Sequence, residues 1–305
     1  MKKNKQNIDS LKESLLKALD FLEKESLPTF NTKKINFPLV VGSGNAINTG
    51  KILFNKQAAL FATESSLKEV IKNYQDLFKK KIIKEAIIIS ASGEKDSVWE
   101  IKELKKIGLK TTLLTCSPNS SATKIADQVI VYPKIAEPYT YNISTYLGMI
   151  LSNTQEKTKD IRNFIKKIKI PKDFSNYKAY SFILPDNFSQ LSEMLEIKRD
   201  ELFGSRLLIR AFSEGQARHA KFVIPWKKEL VISFKENKYF GFKNNRLEIK
   251  LPKKVNIGLL FSLTYYIIGL IQESKPGYFK KNIEEYCKTG PKAYGKKDAF
   301  SVIVK

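Results

Sequence analysis

The chain has 305 residues, 42% apolar and 11% aromatic, which is enough to bury a core and too apolar for a disordered polymer. Its formal charge is +23, yet of 54 basic residues only Arg162, Arg199, Arg206, Arg210, Arg218 and Arg246 are arginine, and the lysines alternate with acids along the whole length. Arginine is the usual reader of phosphates and base edges, so the charge describes a solvated basic surface that would attract a small anion, and nucleic acid is not the expected partner.

The N-terminal stretch, residues 1–33, is polar and carries Leu11, Leu15, Leu19 and Leu22 at helical spacing. It predicts an amphipathic helix and lacks the apolar core of a signal peptide. From Pro38, short apolar runs alternate with helical patterns. FPLVVGSG, AALFAT, EAIIISASG, LKTTLLTCS and QVIVYP read as five strands. NAINTGKILFN, ESSLKEVIKNYQDLFKK, EKDSVWEIKELKKIG and the short SSATKIAD read as helices between them, and PYTYNISTYLGMILSNTQ as a long closing helix. Strand and helix in alternation predict an α/β domain over 34–165 with a mostly parallel sheet flanked by helices. Cys116 ends the fourth strand. It and Cys287 are far apart and form no CxxC pair, which argues against a disulfide framework or a zinc site and for a reducing, cytoplasmic setting.

Residues 166–178 read as a polar linker. The pattern then resumes over 179–275: AYSFILPD as a strand, NFSQLSEMLEIKRDELFG as a helix stopped by Gly204, RLLIRAF as a strand, GQARH as a short loop, one or two strands in KFVIPWKKELVISFKEN, and LEIKLP as another. The apolar run Ile257–Ile271 is too short to span a bilayer and contains Ser262 and Thr264, so it predicts a buried helix and no membrane association. Residues 276–305 read as a tail.

In open parallel sheets ligands bind beyond the carboxyl ends of the strands. Two loops fall there: GSGNA, with Gly44 and Asn45 after the first strand, and SASGEK, with Ser90, Ser92, Gly93 and Lys95 after the third. Small residues let backbone N–H groups approach an anion, serine hydroxyls donate to it, and a helix N-terminus behind each loop favours negative charge. Both are also compatible with ordinary glycine turns. Neither is a dinucleotide fingerprint or a P-loop, since the required glycine and GK[ST] spacings are missing.

These loops resemble the sugar isomerase (SIS) domain. IIISASGEKDSVWEIKELKKIGLKTTLLT is similar to its SxSGxT loop with the following helix and strand, VVGSGNA to its first phosphate-side loop, and ATES, with Glu64, to the stretch after its second strand. The second half resembles another SIS domain. Lys198–Glu201 is similar to the KxxE helix end of the isomerase half of glucosamine-6-phosphate synthase, GQARHA to its GxxxH segment, and KPGYFKK to its lysine-bearing tail. Two such domains in tandem also resemble the archaeal-type phosphoglucose/phosphomannose isomerases. The resemblance spans Phe37–Lys281 and contains no amidotransferase half, so glutamine-dependent amination is not expected.

The resemblance implies a phosphorylated sugar as ligand, a homodimer, no cofactor and no metal. It implies that Ser90, Ser92, Gly93, Lys95, Gly44 and Asn45 hold the phosphate. It further implies that His219 opens the sugar ring, Glu201 carries a proton between C1 and C2, and Lys198 or Lys281 stabilises the enediolate. The chain departs from the pattern at Ala46, in place of a phosphate-binding serine, and at Lys95, in place of threonine. Glu201 and His219 stand 18 positions apart, wider than in the family. An aldose–ketose isomerase is therefore expected, with a non-catalytic phosphosugar sensor as the alternative and a nucleic-acid-binding protein as the outside one. Read without the resemblance, His219 is a hydrogen-bonded loop residue, and Lys198 with Glu201 is a surface ion pair at i, i+3.

Overall fold

A computed structural model describes residues 8–295 and 297–305. Its first element is α1 (Leu11–Leu22), closed at the N-terminus by a reciprocal capping box. The Glu13 N–H donates to Ser10 Oγ at 3.1 Å, and the Ser10 N–H donates to the Glu13 carboxylate at 2.6 Å. Leu11, Leu15, Leu19 and Leu22 are all buried, as their spacing predicts.

The chain divides into two units, one made of Lys24–Lys134 and Ser144–Lys157, the other of Met1–Glu23, Ile135–Ile143 and Thr158–Lys305. The first contains β1 (Leu39–Gly42), α2 (Asn45–Leu53), β2 (Leu60–Ala62), α3 (Leu67–Asn73), α4 (Gln75–Lys79), β3 (Glu85–Ile89), α5 (Asp96–Lys106), β4 (Lys110–Thr115) and β5 (Gln128–Val131). The five strands form a parallel sheet in the order β2-β1-β3-β4-β5. Strand alternation gives each face its own cover. Leu39, Val41, Ile88 and Leu113 meet Leu67, Phe78, Ile101 and Leu104 from α3, α4 and α5. α2 lies on the other face, its Gly50 so close to Val40 that a Cβ there would stand 2.6 Å from the valine methyl.

Three details differ from the sequence expectation here. The helix expected over 64–80 is two, because Tyr74 leaves the helical region at φ −111°, ψ 21°. SSATKIAD forms turns and no helix: the Ala122 N–H donates to Gly93 O and the Ser121 N–H to Glu94, so the segment's donors serve the neighbouring loop. The closing helix is α6 (Ile143–Thr154), shorter than the pattern suggests. Pro138, expected to begin it, instead lies in β6 (Glu137–Pro138), which belongs to the second unit, and residues 139–142 are not helical.

The second unit continues with α7 (Thr158–Ile165), β7 (Ala179–Leu184), α8 (Leu191–Phe203), β8 (Leu208–Ser213), α9 (Glu214–His219), β9 (Glu229–Ser233), β10 (Arg246–Glu248), α10 (Ile257–Ser274), α11 (Tyr278–Thr289) and β11 (Ile303–Val304). Its sheet, ordered β10-β9-β7-β8, is also parallel throughout. The fold class is thus α/β with two parallel sheets flanked by helices. α10 is 18 residues long, apolar enough by length and composition to cross a membrane, and 78% buried inside the protein. α1 packs along it: the Leu11 N–H donates to Gln272 at 2.7 Å, and Lys12 pairs with Glu273 at 2.6 Å.

GQARH is helical where a loop is expected. Ser213 and Gln216 form a capping box that starts α9 as soon as β8 ends. KFVIPW holds no strand. Pro225 lacks an N–H, and Ile224 is 86% exposed while Phe222 turns into the core. The final residues pair back onto the unit, with β11 antiparallel to β6 in the register Ile303↔Pro138.

Candidate functional site

In the first unit, β1 and β3 are neighbours, and both expected loops lie beyond their carboxyl ends. Each helix is entered through a residue of the same unusual backbone. Gly44 precedes α2 at φ 55°, ψ −124°, and Lys95 precedes α5 at φ 57°, ψ −116°. Glycine adopts this region without penalty, whereas lysine is strained there. The first turns of both helices leave N–H groups without intrahelical partners at this edge.

The SASGEK loop is tightly folded. The Gly93 N–H donates to Ser90 O and Ser90 Oγ, both at 3.2 Å, and the Glu94 N–H donates to Ser92 Oγ at 3.3 Å. Gly93 has φ 60° and touches the loop after β4, where an added Cβ would lie 2.0 Å from Ser120 Oγ. Ser92 and Lys95 are exposed. Beside these loops, Asn45 Oδ1 and Ser120 Oγ are among the buried polar atoms that have no hydrogen-bond partner among the described residues, as is Asn48 Oδ1 one turn further along α2; Asn45 and Ser120 are 7% and 4% exposed. A buried polar atom without a partner costs about 1–3 kcal/mol, so each is open to a hydrogen bond with a ligand or water. Asn45 was legible in GSGNA. Ser120 was not, because only the fold brings the loop after β4 against Gly93.

The same unit holds a buried acid that sequence reading missed. Glu100, on α5, is 2% exposed and its Oε1 has no partner among the described residues. Its carboxyl is pushed up to about 7, first by burial and then by the charges of Asp96 and Glu64. Glu64 Oε2 is likewise buried and unpartnered. The signal was present: Ser97, Ile101 and Leu104 define the buried face of α5, and Glu100 falls between them.

In the second unit, Lys198 and Glu201 are brought together on the last turns of α8. Lys198 is fully buried, donates to Thr140 O at 2.5 Å and pairs with the Glu201 carboxylate. The ammonium also lies 5.8 Å from the Tyr265 ring centroid. The Glu201 side chain is 19% exposed. Burial raises its pKa and Lys198 opposes that rise. The surroundings are aromatic: Tyr139 stacks on Phe300 at 4.9 Å and lies 5.9 Å from Tyr286. The Tyr286 phenol is pushed up to about 12 by burial, then by Glu201.

His219 is not brought to this pair, and Lys281, on α11, makes no ion pair with Glu201 among the described residues. α8 returns from the carboxyl end of β7 to the amino end of β8, so Glu201 lies toward the amino edge of the sheet. His219 closes α9, beyond the carboxyl end of β8, a strand of six residues or about 20 Å. Both His219 and Lys281 are exposed and, among the described residues, without side-chain partners. No group of three or more His, Cys, Asp or Glu able to hold a metal ion occurs among the described residues.

No family model matches the chain, and no curated protein matches it. Solved structures do share its fold. The C-terminal domain of glucosamine-fructose-6-phosphate aminotransferase from Francisella tularensis superposes with a TM-score of 0.61 at 15% identity, over 90% of this chain and 98% of that one. Glucosamine-6-phosphate deaminase from Thermotoga maritima gives 0.55 at 18% identity, over 87% and 92%. Tagatose-6-phosphate ketose/aldose isomerase from Escherichia coli gives 0.55 at 14% identity, over 88% and 87%.

Proposed function

We propose that this protein, a two-sheet α/β chain folded like these three structures, binds a phosphorylated sugar and seats the phosphate at the N-termini of α2 and α5. The observation that carries the reading is the pairing of the two loops. Adjacent strands deliver two helix N-termini through matching backbone turns, and beside them the buried Ser120 hydroxyl has no partner and can donate to an anion, while the unpartnered Asn45 Oδ1, an acceptor, suits a sugar hydroxyl. An anion there gains the N–H groups, the helix dipoles and the Ser92 hydroxyl, while Lys95 adds a full positive charge. The three structures of like fold are named for phosphorylated hexoses or hexosamines, which supports the same ligand class. Tandem SIS domains are part of this proposal.

The test is a thermal-shift screen of hexose 6-phosphates and hexosamine 6-phosphates against the unphosphorylated sugars. Only the phosphorylated set should stabilise the protein. Ser92→Ala should weaken the best ligand by about 1.5–3 kcal/mol, the worth of a charge-assisted hydrogen bond, with the melting temperature of the free protein unchanged. Unchanged affinity on a folded variant removes the phosphate assignment.

A second reading, aldose–ketose isomerisation, is favoured by Glu201. A carboxyl raised by burial and held beside an ammonium is suited to accept and return a proton at carbon, and Lys198 is placed to offset the charge that develops. Because His219 lies at the other edge of the sheet, ring opening by it in this reading requires His219 from a second copy of the chain. Turnover of a bound hexose phosphate, abolished by Glu201→Gln, separates the enzyme from a sensor that binds without reacting.

A further inference from the structure

The second sheet has its own crevice. β7 lies between β8 and β9, and its connection runs to one side while the chain from β9 continues to the other, so the carboxyl ends of β7 and β9 form a topological switch point. A cavity of about 600 Å3 opens there, of the size that holds a small organic ligand. Its floor and one wall are apolar: Ile183 and Phe240 are buried, while Val223 and Tyr239 are 56% and 74% exposed.

The polar groups of this cavity are almost all satisfied by the protein. Asn237 Oδ1 accepts from the Tyr239 and Phe240 N–H groups at 3.2 and 2.9 Å, and its amide donates to Phe240 O at 2.8 Å. Ser233 Oγ donates to Lys235 O at 2.9 Å. On the rim, Asp186 accepts from the Gly215 N–H at 2.8 Å, Glu214 pairs with Lys235 at 2.5 Å, and Glu236 lies 3.9 Å from Lys238. Arg218 is the exception. It lines the cavity, is exposed, and makes no hydrogen bond or salt bridge among the described residues; after the Gly215 N–H, its charge helps to hold the Asp186 carboxyl below the ordinary range.

We infer that this cavity is a second ligand site, for a planar aromatic anion: a ring laid on Phe240, Tyr239 and Val223, with a carboxylate or phosphate on Arg218. A sugar ring is disfavoured there, because its hydroxyls would meet a floor whose donors and acceptors are already used. The Arg218 guanidinium, which senses Asp186 but is held by no hydrogen bond or salt bridge among the described residues, can take an anionic oxygen pair in a fork, and an aromatic wall rewards a flat ring by area and by stacking. The site goes beyond the phosphosugar reading and uses none of its residues.

The probe is 8-anilinonaphthalene-1-sulfonate, an aromatic anion whose fluorescence rises on apolar binding, titrated into the full chain. Saturable binding of one probe per chain is expected. Val223→Trp, which fills the mouth from an exposed position, and Arg218→Glu, which reverses the anchoring charge, should each weaken it at least tenfold. Circular dichroism and the melting temperature should be unchanged. Phenyl phosphate should displace the probe and glucose 6-phosphate should not. Absence of saturable binding, equal binding by both folded variants, or equal displacement by glucose 6-phosphate overturns the inference. None of these outcomes touches the Ser92 test, so the two readings fail separately.

Discussion

Lys95 and Gly44 occupy equivalent backbone positions, yet only one of them is glycine. Lysine at φ 57°, ψ −116° holds a conformation that L-residues rarely adopt, at a cost of about 1–3 kcal/mol. Lys95→Gly should therefore raise the unfolding free energy by about 1 kcal/mol and at the same time weaken phosphosugar binding. A variant that is less stable would remove the strain argument, and calorimetry with and without ligand measures both effects. Glu100 gives a second prediction, in pH. Its folded pKa, about 7, lies above the ordinary value of 4.5, so the folded state binds the proton more tightly than the unfolded chain. The contribution is neutral below about pH 4.5, becomes unfavourable as pH rises toward 7, and is constant above that. At most it reaches about 3 kcal/mol, the shift converted at about 1.4 kcal/mol per pH unit. Glu100→Gln should thus be more stable than the parent at pH 8, and the advantage should vanish as pH falls to 5. Urea unfolding at the two pH values checks it.

At the scale of elements, α1 and α10 depend on a close approach. An added Cβ at Gly269 would lie 2.3 Å from the Lys12 backbone nitrogen and 2.7 Å from its Cα. Backbone cannot yield as a side-chain tip can, so Gly269→Ala must push the helices apart. The expected loss is about 1–3 kcal/mol or more, read as a lower denaturation midpoint at unchanged slope. Helix propensity works in the opposite direction, since alanine is favoured over glycine by about 1 kcal/mol. A stabilised variant would mean that the packing gives way easily. The 18-residue α10 shows why such packing matters: its apolar surface is buried by neighbours such as α1, and losing one would expose it.

At the scale of the whole molecule the charge is the dominant feature. A net +23 carried almost wholly by dispersed lysine gives long-range attraction to any anion, and its dispersion predicts no tight hold on a nucleic acid. Filter binding should show weak association with nucleic acid that collapses as salt rises toward about 0.15 M, where the screening length is about 8 Å. Sub-micromolar affinity surviving that salt would require a concentrated basic surface. The same field would draw phosphorylated and aromatic anions toward both proposed sites, so their affinities should be compared at one fixed ionic strength.

The alternation of apolar runs and helical patterns by itself determined the α/β class, the five strands of the first sheet and the burial of Ile257–Ile271. These properties depend on side-chain periods within a few residues, and such periods are written locally. The two loops proposed to hold the phosphate were legible for the same reason, since glycine and serine at a strand end are a local signal. Tertiary structure alone decided the rest. Lys198 and Glu201 read in sequence as a surface pair at i, i+3, and only the packing of the last turns of α8 takes Lys198 out of solvent. His219 sits in a segment resembling a catalytic motif, and only the direction of α8 against β8 puts it at the opposite edge of the sheet from Glu201. Ser120 meets Gly93 across the ends of β3 and β4, and β11 returns to β6 from the far end of the chain. Contacts between distant segments depend on topology and on which surfaces are left to bury. No local period encodes either.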